Sequence, residues 1–349
     1  MVGIVGEALP GRGSVETSVA GATLTSGHGF LAGIAAPLGG RARGVVVSLS
    51  LVTCGGTIAM HRDRSGVRVI GSSEAVAELA ASLYPDELRH VAVTERDSGR
   101  STPAAWEEIA RAVELASRTG PVVVTHGTDS LVWSAAATAV AVAPAFPVVF
   151  TGALVPLLEA GSDAEANLRC SLAFADALEP GVWVGFTRPG PDGAVEADAI
   201  QAGYARKIRA SGRAFEDLND TPHATWRAGR VTLGGPRRAR PPWCPPPSGP
   251  STRFRREVAV VRAWPGVTPT YPADAVDLVI ETYPAGTVPA ALLELARAHV
   301  ERGGAVHVVP AAPLESDEYD AGARFAALGA AVHLDGTVEL VTCALALGD

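Results

Sequence analysis

The chain is almost without lysine. Lys207 stands alone against 28 arginines, and asparagine (Asn167, Asn219) and glutamine (Gln201) are nearly as scarce. With plentiful Ala, Gly, Arg and Pro, this is the coding bias of a GC-rich genome, in which arginine fills every position it can. A lysine that survives such a bias is a candidate for work arginine cannot do. Arginine stays protonated in proteins, whereas a buried lysine can titrate and transfer a proton. Cysteine is sparse too. Cys54, Cys170, Cys244 and Cys343 lie far apart with no CxxC pair, which argues against a zinc site and against a disulfide framework and fits a reducing, cytoplasmic compartment. Basic residues are outnumbered, 29 against 37 acids for a net charge of −8, so the balance offers no support for a nucleic-acid partner. Apolar runs such as Val45–Val47 and Val122–Val124 fall far short of the ~18 to 20 residues that cross a bilayer, and no membrane partner is expected.

What is present is a chain of 349 residues, 47% hydrophobic and 19% charged, enough for a large core and about two domains. Residues 1–44 are rich in Gly, Ala, Ser and Thr without a sustained period; they read as a disordered tail or an over-extended translation start. From Val45 the pattern is strand and helix in alternation. Strand runs at 45–53, 91–93, 122–125 and 147–151 are separated by helical stretches at 74–83, 103–120 and 130–143, with a polar loop from His61 to Val67. Such alternation predicts a parallel α/β sheet. Seven prolines and six arginines between Pro236 and Arg256 read as an inter-domain linker. Beyond it the pattern restarts, with strands at 258–261, 278–281 and 306–309 and helices at 290–302 and 321–328. The expectation is therefore an α/β fold: a larger N-terminal parallel-sheet domain (45–235) and a smaller C-terminal α/β domain (257–349).

Sites in open parallel sheets form at the carboxyl ends of strands. Two strand ends carry unusual clusters, Thr53-Cys54-Gly55-Gly56-Thr57-Ile58-Ala59 and Thr125-His126-Gly127-Thr128-Asp129-Ser130. Taken singly, the first is also an ordinary glycine turn and the second an ordinary helix start capped by Asp129 or Ser130. The first is not a nucleotide loop, since GxGxxG is absent and no lysine follows.

Together the two clusters resemble the paired signatures of the asparaginase/glutaminase family. Phe150-Thr151-Gly152-Ala153-Leu154-Val155-Pro156 resembles the strand and turn after the second signature. Ser162-Asp163-Ala164-Glu165-Ala166-Asn167-Leu168 is similar to the family's Ser-Asp…Asn-Leu helix start, and Lys207 falls at its lysine position, with Ala214-Phe215 close behind. The resemblance covers about residues 45–349 and implies an asparaginase-like fold and an amidohydrolase acting on a small carboxamide without a cofactor or metal. It implies roles as well. Thr57 would attack, because a threonine hydroxyl becomes nucleophilic once a base relieves it of its proton. Thr128, Lys207 and Asp129 would form the relay, with Lys207 kept neutral by desolvation. Backbone N–H groups near Thr128 and Ala153 would meet the oxyanion. Ser98 would hold a substrate carboxylate and Asp129 a substrate ammonium. The family further implies a homodimer or homotetramer.

His126, Asp163 and Asn167 read as supports for turns, and Cys54 as an inert thiol. His61, Asp63 and His90 show no metal-ligand spacing. Three features depart from the family. Residues 60–69 lack the tyrosine that many members carry on a flexible loop, the nearest being Tyr84; Pro310-Ala311-Ala312 replaces Ser-Arg; and Gly286-Thr287 replaces glycine-asparagine. The relay residues are intact, while the positions that the family places near a partner's site have drifted. Asparagine hydrolysis is the leading expectation. The same chemistry on another amide or acyl group, and a catalytically weak binding protein, stand beside it.

Overall fold

The computed structural model describes residues 48–71, 73–219, 221–235, 244, 253–270, 274–312, 314 and 320–347. The expected tail at 1–44 and most of the Pro/Arg-rich segment lie outside the described residues.

β1 (Leu49–Gly55) is buried at every residue, as a central parallel strand covered on both faces must be. A hairpin follows, β2 (Met60–Arg62) with β3 (Arg68–Ile70), where sequence predicts only a polar loop. Its turn is closed by Asp63, whose Oδ1 accepts from the Ser65 and Val67 amides and the Ser65 hydroxyl at 2.6–3.0 Å. Next come α1 (Glu74–Leu83), β4 (Leu88–Arg96), α2 (Pro103–Ala116), β5 (Val122–Thr125), α3 (Leu131–Ala141), β6 (Pro147–Thr151), α4 (Ala164–Ala177) and β7 (Gly181–Pro189). Pro103 starts α2, where a missing amide hydrogen costs nothing. β8 (Val195–Gln201) turns back antiparallel, followed by the small hairpin β9 (Ala205–Lys207) and β10 (Phe215–Asp217) and the strands β11 (Ala224–Arg227) and β12 (Arg230–Leu233). The eight-stranded sheet has the order β12-β11-β8-β7-β6-β5-β1-β4. Its β7-β6-β5-β1-β4 half is parallel. Leu49, Leu51, Val123 and Val149 pack on one face and Val52, Val122, Val124 and Phe150 on the other.

The second sheet is fully parallel, in the order β13 (Val258–Arg262), β14 (Asp277–Thr282), β15 (Ala305–Pro310), β16 (Ala331–Val332). It is covered by α5 (Ala290–Glu301) and α6 (Asp320–Ala327) around Leu278, Ile280, Leu292 and Phe325. The larger N-terminal parallel-sheet domain and smaller C-terminal α/β domain are thus as expected. The last helix, α7 (Val338–Leu347), is not legible as a helix, because it is apolar on nearly every side and shows no amphipathic stripe. It joins the two parts: Leu340 and Cys343 pack with Ala136, Ala137 and Val140 of α3, and Val338 and Val341 with Val279 and Val309 of the small sheet. Described residues of the proline-rich segment are also anchored. Cys244 and Phe254 are buried in that cluster, and Phe254 meets Trp106 edge-on at 5.5 Å.

Leu278 is fully buried at the centre of the small sheet. Leu278→Ala is expected to destabilise the protein by about 2–5 kcal/mol, read as a lower urea midpoint at unchanged m-value.

Candidate active site

Four neighbouring strands, β6-β5-β1-β4, end on the same edge of the large sheet, and their loops carry the motif residues. The loops are brought together through glycine. Gly56 has φ +79°, and a methyl group placed on it would lie 2.2 Å from the Cα of Gly127. One placed on Gly127 would lie 2.5 Å from the Ser98 Oγ, and one on Gly152 would lie 2.2 Å from the His126 carbonyl oxygen. No side chain fits at these places: backbone meets backbone at Gly56 and Gly152, and the Ser98 side chain lies on Gly127. Thr57 and Thr128 each follow a glycine of the first contact. Gly56 is fixed further by donating its amide to the Arg96 carbonyl at 3.1 Å.

Lys207 arrives from the β9–β10 hairpin. Its Nζ donates to Thr128 Oγ1 at 2.9 Å and to Asp129 Oδ1 at 2.5 Å. Lys207 is 17% exposed and Asp129 73%, so the ion pair is seated at its amine end and open at its carboxylate. An ion pair, and not desolvation alone, is the environment of this amine. Thr128 is buried and Thr57 half-buried. The Ser98 side chain is buried against Gly127, and its carbonyl accepts from the Ser130 hydroxyl at 2.7 Å. Ser130 therefore ties two loops together and does not cap α3, which has no side-chain cap.

The turn holding Ala153 is built by two polar side chains. Asp163 accepts from the Leu154 and Val155 amides at 2.9–3.1 Å. Asn167 donates to Asp163 Oδ2 and to the Gly152 carbonyl at 2.9 and 3.0 Å, and its Oδ1 accepts from the Thr187 amide and hydroxyl. One Asn thus uses both ends of its amide to hold β6, α4 and β7 in register, the support read from sequence. His126 is buried, with Nδ1 2.8 Å from the Gly127 carbonyl and Nε2 2.9 Å from the Ser134 hydroxyl. A carbonyl only accepts, so Nδ1 carries the proton and Nε2 accepts from Ser134. Burial lowers its pKa below the ordinary 6.5. Burial pushes the Cys54 thiol far up, and an un-ionised thiol is a poor nucleophile.

Sequence reasoning missed a clamp beside these loops. Glu159, in the stretch after β6, pairs with Arg62 at 3.2 Å and Arg68 at 2.7 Å, pinning the β2–β3 hairpin. Nothing in the sequence signals a contact between residues 91 and 97 positions apart. Tyr84 does not substitute for the missing loop tyrosine; it is buried in the core, with its hydroxyl 3.2 Å from Asp176. Among the described residues, no group of three or more His, Cys, Asp or Glu is placed to hold a metal ion, and no helix is long and apolar enough to cross a membrane.

Residues 48–238 match the family model described as "Asparaginase, N-terminal". The chain is 30% identical over 259 residues to the L-asparaginase of Thermococcus kodakarensis, covering 70% of this chain and 73% of that one. It is also 35% identical over 144 residues to a glutamyl-tRNA(Gln) amidotransferase subunit of Haloquadratum walsbyi, spanning 39% of this chain but only 32% of that protein. The solved structure of the thermostable L-asparaginase from Thermococcus kodakarensis superimposes with a TM-score of 0.71 at 26% identity, over 86% of this chain and 92% of the other.

His126 is held neutral when folded, yet takes up a proton below about pH 6.5 when unfolded. The unfolded state then binds more protons, so stability present above that pH is lost as the pH falls. His333 in the small domain, with its pKa pushed down to about 4, acts in the same sense. The melting temperature is expected to fall from pH 6.5 toward pH 4, and less steeply in His126→Asn; a rise over that range would contradict the neutral assignment.

Proposed function

The chain belongs to the asparaginase family of amidohydrolases, and from that premise we propose that it hydrolyses L-asparagine to L-aspartate and ammonia with Thr57 as nucleophile. The observation that carries the proposal is the seating of the chain's one lysine between Thr128 Oγ1 and Asp129 Oδ1. Composition singles this residue out as a group that can pass a proton where arginine cannot, and the fold brings it to the second signature. Thr57 attacks the carboxamide carbon, and the carbonyl π electrons move to oxygen. Backbone amides near Thr128 and Ala153 meet that oxyanion. With the Lys207 amine neutral, Thr128 takes the Thr57 proton as it gives its own to Nζ, and Nζ then hands a proton to the departing nitrogen, which leaves as ammonia. Water then adds to the acyl-threonine, releases aspartate and restores the hydroxyl. The exposed edge of Asp129 receives the substrate α-ammonium, which weakens its hold on the Lys207 amine as substrate binds. Ser98 takes the α-carboxylate.

A second reading keeps this chemistry on a different carboxamide. Its support is the drift at Pro310-Ala311-Ala312 and Gly286-Thr287, together with a kinship that extends to proteins named as amidotransferase components. Cytoplasmic residence is supported by four buried cysteines outside any disulfide, a state that a reducing compartment preserves.

Thr57→Val and Lys207→Met are each expected to lower turnover by about 10³-fold or more, because members of a cooperating catalytic unit fail together. Lys207→Arg should fail equally, keeping charge but losing proton transfer. The assay is ammonia release from asparagine, glutamine and a panel of carboxamides. A variant that keeps more than a tenth of the parent rate would overturn the relay, and a parent preference for another amide would favour the second reading. A homodimer or homotetramer is the proposed assembly. Light scattering should give at least twice the chain mass, and an active monomer at micromolar concentration would refute it.

A further inference from the structure

We propose that Arg206 is a positioning residue for Lys207, fastening the lysine's hairpin to the carboxyl ends of the small sheet. The inference rests on the reading of Lys207 as the relay amine. The β9–β10 hairpin has only three paired positions, Ala205 with Asp217, Arg206 with Glu216 and Lys207 with Phe215. A two-stranded ribbon of that length has little stability of its own. Its position must come from what its two faces touch. Alternate residues of a strand face opposite ways. On one face Ala205 and Phe215 enter the large-domain core, the Phe215 ring lying 4.8 Å from Phe186, and Lys207 reaches Thr128. Arg206 points the other way.

There it meets the small domain. Arg206 Nη1 donates to the Ala311 carbonyl at 2.5 Å, just past β15, and Nη2 lies 3.5 Å from Glu281 Oε1 on β14. Glu281 is 4% exposed, and its other oxygen accepts from Arg262 Nε at 2.5 Å. A buried carboxylate requires a cation close by. Arg262 is 71% exposed whereas Arg206 is 21% exposed, so Arg206 is the less solvated partner. Its planar fork suits a carbonyl and a carboxylate at once, as a point charge does not. Beside this contact lies a cleft of about 660 Å³, lined by Arg206, Asp217, Asn219, Ala312, Leu334 and Asp335.

One peptide unit separates Arg206 from Lys207, so a loosened Arg206 lets the amine drift from Thr128 and Asp129. A misplacement of about 1 Å in a catalytic group can cost about 10²-fold in rate. Neighbouring cations thus divide the labour: one is anchored to the small sheet, and the other moves protons in the large one.

The test is steady-state ammonia release with the full chain, using whichever carboxamide it turns over fastest, for Arg206→Met, Arg206→Lys, Glu281→Gln and Lys207→Met. Arg206→Met should lower kcat by about 10- to 100-fold with KM within twofold, and Arg206→Lys, which keeps the charge but not the fork, should recover only part of that loss. A kcat within twofold of the parent in Arg206→Met, while Lys207→Met is inactive, overturns the positioning role and leaves the lysine reading standing. An active Lys207→Met overturns the lysine reading itself. A rise in KM at unchanged kcat would make Arg206 a substrate contact and also overturn the proposal. Should Arg206→Met fail to fold, Arg206→Lys and Glu281→Gln decide, with folding confirmed by thermal melts: a lowered kcat in both sustains the proposal, and a parental kcat in either overturns it.

Discussion

The contact on which this molecule depends is the approach of Gly56 to Gly127, so close that not even a methyl group could stand between them. It joins the loop after β1 to the loop after β5, and every candidate catalytic group is placed relative to it. Thr57 and Thr128 follow the two glycines, Ser98 packs on the second, and Gly152 closes on the adjoining carbonyl of His126. Backbone packed on backbone has no side-chain freedom to relax, which makes the geometry stiff. The glycines are required because of what they exclude.

Stiff loops at strand ends still carry polar backbone groups that must be satisfied. The solution is a small set of side chains that each serve several partners. Asp163 and Asn167 hold the Ala153 turn, and Asn167 continues to Thr187 on the next strand. Ser130 gives up the capping of its own helix to bind the Ser98 carbonyl. His126, neutral in its burial, spans the Gly127 carbonyl and Ser134. These groups make the site a preorganised one, in which hydrogen bonds are formed before substrate arrives and little reorganisation remains for the reaction.

The cation beside the site belongs to a chain that otherwise has only arginine. Arg188 is held by Glu196 and Asp198, and Arg256 pairs with the buried Asp277, static pairs for which a permanently charged fork is suited. Lys207 is placed differently, with one hydroxyl and one half-open carboxylate as partners. The contrast between fixed and movable charge follows from the two side chains' chemistry.

Much of this was legible in sequence. Short apolar runs marked β5, β6, β13, β14 and β15, and helical stripes marked α1, α2 and α5, because local periodicity reports which face is buried. The scarcity of lysine marked Lys207, and the glycine-threonine clusters marked the strand ends. Other features were decided only in three dimensions. Lys207 meets Thr128 across 79 positions and Arg206 meets Ala311 across 105, distances over which a linear pattern carries no register. The largely apolar α7 shows no stripe, because both domains bury it. Tyr84, the tyrosine nearest the loop in sequence, is in the core, since α1 turns it inward. Sequence by itself determined which residues have the chemistry and which strongly patterned segments form strands and helices. The order of strands in the sheet decided which of those residues meet, because contact between distant segments follows from packing layers and not from local preference.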